Sequence, residues 1–173
     1  LNSLANKKLF DSKLFNNIFI PYAPGDGGGS IGSALIVAKK EDKNVKFENL
    51  QTPFIGPKFS DEKIDLKIKK IKELSRFKIQ YFEDRNILYE KIAKFIFENK
   101  IIGFFNNQME FGARALGNRS ILANPCDSKI QGIINSKIKR RELFRPFAPA
   151  ILSEKKNEWF NNSFPNPYMS AVE

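Results

Sequence analysis

The chain contains no histidine. That absence removes the commonest general base, every Ser-His-Asp triad and the usual zinc sites. There is one cysteine, Cys126, so no disulfide can close within the chain and no Cys–His nucleophile pair can form. Nor is there an apolar run of the roughly 18 to 20 residues that span a bilayer. A secretory signal, with its basic start, apolar middle and small-residue cleavage site, is missing too. A cytoplasmic chain without a membrane partner is expected.

Acidic residues are scarce relative to basic ones, 19 against 29, which leaves a net charge of +10. Such a balance invites a nucleic acid. Two observations weaken that reading. Lys, Ile, Asn and Phe are abundant together, as AT-rich codon usage alone produces, and many lysines fall in KIDLKIKKIKEL, where they form a solvated helix face. A nucleic acid is therefore not the expected partner. What is plentiful is apolar surface: 42% hydrophobic residues with 17 Phe can bury a core and exclude a disordered tail. The chain opens on Leu1 and closes on NPYMSAVE, and it is expected to be a fragment.

Residues 17–22, NIFIPY, have the length of a short strand; PGDGGG follows as a turn, and SIGSALIVAKK carries helical spacing. Gly32, Ser33 and Ala34 would let that helix approach a neighbour closely. Residues 41–60 are a connector with Pro53, Gly56 and Pro57, after which Ser60 or Asp61 is placed to cap a helix. Ile64, Ile68, Ile71 and Leu74 recur at spacings of four and three, which predicts one buried stripe. FKIQYF reads as a strand, residues 86–99 as an amphipathic helix and IIGFF as a strand. Residues 127–138 read as a helix capped by Asp127 or Ser128. FAPAIL then reads as a strand and SEKKNEWF as a short helix. Helices alternating with strands give an α/β or α+β class.

Three elements could carry chemistry. In PGDGGGS, Gly25, Gly27, Gly28 and Gly29 leave backbone N–H groups unshielded before a helix N-terminus, which suits a phosphate or nucleotide. Asp26 could bind a metal ion or orient a ribose; the plainer alternative is a tight strand-to-helix turn capped by Asp26. In MEFGARALGNRSILANP, Gly112 and Gly117 flank Arg114, with Asn118, Arg119 and Ser120 beyond. Arginine offers a permanently charged planar fork for phosphate or carboxylate oxygens, and Glu110 could orient one of the arginines; the alternative is a surface loop with an Arg–Glu pair. In KIKRRELFRPFAPAIL, Lys139, Arg141 and Arg145 precede a stiff Pro146–Phe147–Ala148–Pro149 segment. An extended stretch with Phe147 buried would aim Arg141 and Arg145 the same way, as a phosphate clamp needs; otherwise it is a basic solvated run.

In that order these strings resemble the carbamoyltransferase family that includes the nodulation and antibiotic O-carbamoyltransferases, and the resemblance covers nearly the whole chain. It implies an α/β (α+β) chain in which residues 1–50 are the end of an actin-like ATPase domain and residues 51–75 a linker and helix. Residues 76–173 are then the first part of a YrdC-like domain. The implied chemistry uses ATP and carbamoyl phosphate to make carbamoyl-adenylate and passes the carbamoyl group to a hydroxyl acceptor. On matching positions, Lys139 and Arg145 are the catalytic pair holding the phosphate-bearing substrate. Arg114, Asn118, Arg119, Ser120 and Arg141 take a phosphate or carbamoyl role. Gly25, Gly27, Gly28 and Asn6 contact the nucleotide, and Asp26 ligates a divalent metal (Fe or Mg) in the complete enzyme.

The chain departs from the family pattern at Asn107 and Gln108, where Gly-Arg is usual, and at Ala113, where proline is usual. The family's metal site uses histidines, and this chain has none, so it is expected to be inactive alone. The rival readings are an RNA-binding YrdC-like module and a degenerate, non-catalytic fragment.

Overall fold

Helix starts in this chain are written in its short polar side chains. In the computed structural model, which describes residues 2–47, 52–73, 77–160 and 166–172, the elements in chain order are α1 (Ser3–Ser12), α2 (Asp26–Glu41), α3 (Asp61–Glu73) and α4 (Arg85–Phe97). There follow β1 (Ile102–Phe105), β2 (Arg119–Leu122), and α5 (Ile130–Ile133), which runs into a π-helical segment, Ile134–Lys139. A 3-10 turn, Ser153–Lys155, leads into α6 (Lys156–Trp159). Helices with one small sheet make an α+β arrangement.

The Asn2 side chain accepts the Ala5 N–H at 3.0 Å to start α1, and Asp84 accepts that of Asn86 at 2.7 Å to start α4, each satisfying a donor that the helix itself cannot. Ser60 caps α3 as expected, with its hydroxyl 3.5 Å from the Lys63 N–H; its hydrogen bond also holds the Glu62 carboxyl below the usual range. Asp127 receives the Lys129 N–H at 2.9 Å and opens the turn into α5.

The strand expected at IIGFF is β1, paired antiparallel with β2 in the register Ile102↔Leu122 to Phe105↔Arg119. Three other expected strands, NIFIPY, FKIQYF and FAPAIL, are not strands. An extended segment needs a neighbour for its backbone donors and acceptors, and β1–β2 is the one ladder among the described residues. Pro149 also removes a donor from the third segment.

The apolar stripe of α3 is not buried: Ile64 and Ile71 are exposed, and Ile68 is half-buried; Leu74 lies outside the described residues. On α2 a Cβ at Gly32 would meet nothing within 4 Å, so the close approach expected there does not occur.

Backbone proximity divides the chain into two units, each discontinuous in sequence. Unit 1 is Leu1–Gly56, Met109–Leu116 and Ala148–Glu173; unit 2 is Pro57–Gln108 and Gly117–Phe147. Among the described residues, the buried residues of unit 1 are Tyr22, Ala23, Pro53, Glu110, Ser170 and Ala171, and those of unit 2 are Ile134 and Asn135. No helix of the described residues is long and apolar enough to cross a membrane.

Candidate functional site

In unit 1 the first turn of α2, the loop 109–116 and the turn 166–172 are held by backbone approach and a few polar side chains. The expected glycine turn is shorter than the string suggests. Asp26 is the first residue of α2, and Gly25, extended at φ −113°, is its N-cap with no side-chain hydrogen bond. Gly27, Gly28 and Gly29 therefore belong to the helix. Asp26 is exposed and lies in the first turn, where a carboxylate complements the helix dipole; it does not serve as the cap.

The glycines differ in what they face. A Cβ at Gly28 would lie 2.0 Å from the Ala23 carbonyl oxygen, so backbone packing alone demands glycine there. At Gly27 it would sit 3.7 Å from the Phe111 ring, and at Gly29 it would meet nothing within 4 Å. Gly112, at φ +116°, approaches Tyr22 and Ala23 so closely that a Cβ would lie 3.3 Å from the Tyr22 carbonyl oxygen. Two independent constraints, backbone angle and space, exclude a side chain at that position.

The loop is closed by Glu110. This residue is 3% exposed, and its Oε1 accepts the Leu116 N–H at 2.8 Å. Arg114 Nη1 donates to the Tyr168 carbonyl at 2.9 Å, and the Tyr168 ring meets Tyr22 edge-on with centroids 5.8 Å apart. Burial, followed by the neighbouring Tyr168, pushes the Tyr22 phenol above its ordinary value, so it stays neutral. Asn166 Oδ1 accepts the Ser170 N–H at 2.7 Å and its Nδ2 donates to the Ala171 carbonyl at 2.8 Å; Asn6 Nδ2 reaches the Ser170 carbonyl.

Replacing Glu110 with alanine leaves the Leu116 N–H without its acceptor in a buried place. That is expected to lower stability by about 1–3 kcal/mol. Glutamine retains an acceptor oxygen and is expected to cost less. Urea unfolding of both variants checks this; equal losses would mean that the charge, not the acceptor, matters.

Unit 2 holds the other candidates. Arg119 and Ser120 lie on β2, opposite Phe105 and Phe104, and both are half-buried. Asn118 ties the strand ends together: its backbone carbonyl accepts the Asn106 N–H at 2.7 Å and its Nδ2 donates to the Gln108 carbonyl at 2.6 Å. Asn107, at φ +53°, has the left-handed backbone that glycine or asparagine tolerates best.

The basic segment is not extended. Arg140 is left-handed at φ +49° and closes the π-helical segment, and residues 142–145 form a turn in which the Arg145 N–H reaches the Glu142 carbonyl at 3.3 Å. Arg141 and Arg145 therefore do not point together as expected. Arg141 is engaged: its Nε donates to Asn135 Oδ1 at 2.7 Å, and its guanidinium lies 4.7 Å from the centre of the Phe147 ring. Phe147 is exposed, not buried, so the cation–π contact, not core packing, fixes it. Lys139 and Arg145 are both exposed, and Arg145 Nε lies 3.4 Å from Glu142 Oε2.

Unit 1 thus brings together Asn6, Gly25, Asp26, Gly27, Gly28 and Arg114, whereas Asn118, Arg119, Ser120, Lys139, Arg141 and Arg145 fall in unit 2. Sequence reasoning missed Asn135, Asn166 and Tyr168. Asn135 carries a signal: an amide inside the apolar run GIIN on an expected helix must find partners if it is buried.

Residues 93–173 match the family model described as the carbamoyltransferase C-terminus. An uncharacterized protein of Synechocystis is 38% identical over 99% of this chain and 28% of its own length. Nodulation protein NolO of Bradyrhizobium diazoefficiens is 35% identical over 92% of this chain and 28% of its own. Nodulation protein U of the same organism is 31% identical over 98% and 27%. Residues 93–173 are thus identified with the C-terminal region of the carbamoyltransferase family. The chain spans between a quarter and a third of the length of these relatives.

Proposed function

We propose that this chain is part of an ATP-dependent O-carbamoyltransferase, which forms carbamoyl-adenylate from carbamoyl phosphate and ATP and transfers the carbamoyl group to a hydroxyl acceptor. The observation that carries the reading is the match of residues 93–173 to the carbamoyltransferase C-terminus, a stretch that includes all the candidate arginines. Its charge agrees: Lys139 and Arg145 are solvent-accessible cations on one short segment, available to a phosphorylated substrate.

The remaining roles follow from local chemistry. The α2 N-terminus, capped by Gly25 without a side chain, suits a phosphate of ATP, with Gly27 beside it. Gly28 fits the same turn, though its lack of a side chain is already required by Ala23. Arg114 in unit 1 and, separately, Asn118, Arg119 and Ser120 in unit 2 are candidates for contact with a phosphate or carbamoyl group. Asn6 is engaged with the Ser170 carbonyl, and Arg141 with the Asn135 side chain and the Phe147 ring, so both act by holding the chain around them. ATP supplies the activation. Carbamoyl phosphate loses inorganic phosphate to water and leaves carbamate, and the carbamate oxygen displaces pyrophosphate from ATP to form the adenylate. AMP leaves when the acceptor hydroxyl takes the carbamoyl group.

A metal fits this chain's own residues poorly. Among the described residues no three of His, Cys, Asp and Glu come together to hold one, so Asp26 would be a single ligand to an ion completed from elsewhere. The actin-like and YrdC-like domain assignment, and a cytoplasmic setting, belong to the same proposal.

The test is turnover in the full-length protein. Pyrophosphate and AMP are expected only when ATP and carbamoyl phosphate are both present, with a hydroxyl compound needed for the AMP. Pyrophosphate release that is indifferent to carbamoyl phosphate would sink the reading.

A further inference from the structure

We propose that Asn135 is a positioning residue that sets the direction of Arg145, an inference that rests on the phosphate-binding role proposed above for that arginine. Asn135 is the one fully buried large side chain among the described residues, with no exposed surface. A buried amide has three hydrogen-bonding demands that usually find partners, two N–H groups and one oxygen. All are met by a single segment. Nδ2 donates to the Leu143 carbonyl at 3.1 Å and to the Arg145 carbonyl at 2.9 Å, while Oδ1 accepts from Arg141 Nε at 2.7 Å. The Asn135 backbone carbonyl takes the N–H of Arg140, and that of Arg141 at 3.0 Å. One residue therefore holds four of the six positions from 140 to 145.

The choice of partners separates this from ordinary core satisfaction. The Arg145 carbonyl is held twice, by Asn135 and by Gln131 Nε2 at 3.1 Å, so two helix-borne amides converge on the backbone of the arginine whose side chain stays out in solvent. Arg141, which could compete for the same anion, is drawn aside by Asn135 and by the Phe147 ring. The π-helical segment begins at Ile134, and its wider turn places Asn135 at the mouth of this loop. Such turns recur at functional sites. A fork with its backbone fixed and its side chain exposed, in contact only with an equally exposed carboxylate, is how an arginine is aimed without being consumed by the fold.

A misplacement on the order of 1 Å can cost on the order of a hundredfold in rate. Asn135→Leu keeps the branched side-chain shape with the same number of heavy atoms and removes every side-chain hydrogen bond. Gln131→Met removes one exposed anchor of the Arg145 carbonyl and leaves the buried amide intact, so it tests the idea even if Asn135→Leu fails to fold. Each variant is made in the full-length protein, alone and with Arg145→Ala, and kcat/KM for carbamoyl phosphate is followed by pyrophosphate release. The expected result is a loss of about ten- to a hundredfold for Asn135→Leu and a smaller loss of roughly threefold for Gln131→Met. On the Arg145→Ala background both losses should shrink to less than about twofold, because nothing remains to be aimed. Equal losses on both backgrounds, or a folded Asn135→Leu and a Gln131→Met at full kcat/KM while Arg145→Ala is impaired, would overturn the proposal and leave the proposed function standing. If Arg145→Ala itself retains full activity, the assignment of Arg145 to substrate falls, and the positioning role falls with it.

Discussion

Alanine in place of Arg145 is expected to lower pyrophosphate release from ATP and carbamoyl phosphate by about a hundred- to a thousandfold, the scale of losing one well-placed group that stabilises transition-state charge. The side chain is available for that work. It is about half exposed (55%), and its contact with Glu142, at 3.4 Å, joins two exposed groups. Surface pairs of this kind contribute about 0–1 kcal/mol, far less than a phosphate gripped by a planar fork in a water-poor site. Substrate can therefore take Arg145 from Glu142 at little cost. Lys139→Ala is expected to act in the same direction with a smaller effect, because an ammonium is a point charge that water or a neighbouring cation replaces more readily. Arg145→Lys separates charge from geometry: it should recover part of the loss if charge is what counts and little if the fork is needed. Full activity in both alanine variants, measured in the full-length protein, would sink the assignment of these two residues.

Gly28→Ala is expected to be the most damaging small substitution in unit 1, and Gly29→Ala, one residue on, to be harmless or stabilising. By helix propensity alone the two should behave alike, each gaining about 0.5–1 kcal/mol when alanine replaces glycine in a helix. Space decides otherwise. At Gly28 the added methyl would fall 2.0 Å from the Ala23 carbonyl oxygen and 3.1 Å from its carbon, both backbone atoms, while at Gly29 it meets nothing within 4 Å. Backbone cannot rotate away as a flexible side chain can. Ala23 and Tyr22 are among the few buried residues of this unit, so relief must come from moving α2 off its core. Overpacking of this kind costs typically about 1–3 kcal/mol, which exceeds the gain in propensity. Denaturant unfolding of the two variants, side by side, tests the contrast; a Gly28→Ala protein as stable as the parent would show that the turn yields easily. The same pair bears on function: if Gly29→Ala alone weakens ATP, the open space beside it is where a phosphate sits.

Helix positions were legible in the sequence because their signals are local. Ser60 and Asp127 sit where a short polar side chain can reach the first free N–H groups of a helix, and that reach spans only a few residues. IIGFF was legible as a strand for a different reason: its partner, RSIL, follows closely enough to form an antiparallel ladder. NIFIPY and FKIQYF have equally good strand composition, but a strand is a relation between two segments, and among the described residues neither has a neighbour to complete it.

For the site, residue type was enough to name the cations, and the long motifs were enough to name the family. The partners of each cation were beyond reach. Arg141 and Arg145 look equivalent in KRRELFRPF, yet Arg141 is bound by Asn135 and lies over Phe147 whereas Arg145 is held by its backbone, makes only an exposed contact with Glu142 and remains accessible. Nothing in the spacing distinguishes them.

The sequence by itself determined the chemistry this protein has at hand: arginine, lysine and glycine without histidine, in strings specific to one family. The tertiary structure decided which of those residues are available to a ligand. Availability depends on what lies beside a side chain, and for Glu110, Asn135 and Gly28 what lies beside them is backbone only five to ten residues away, brought there by turns that residue type does not encode.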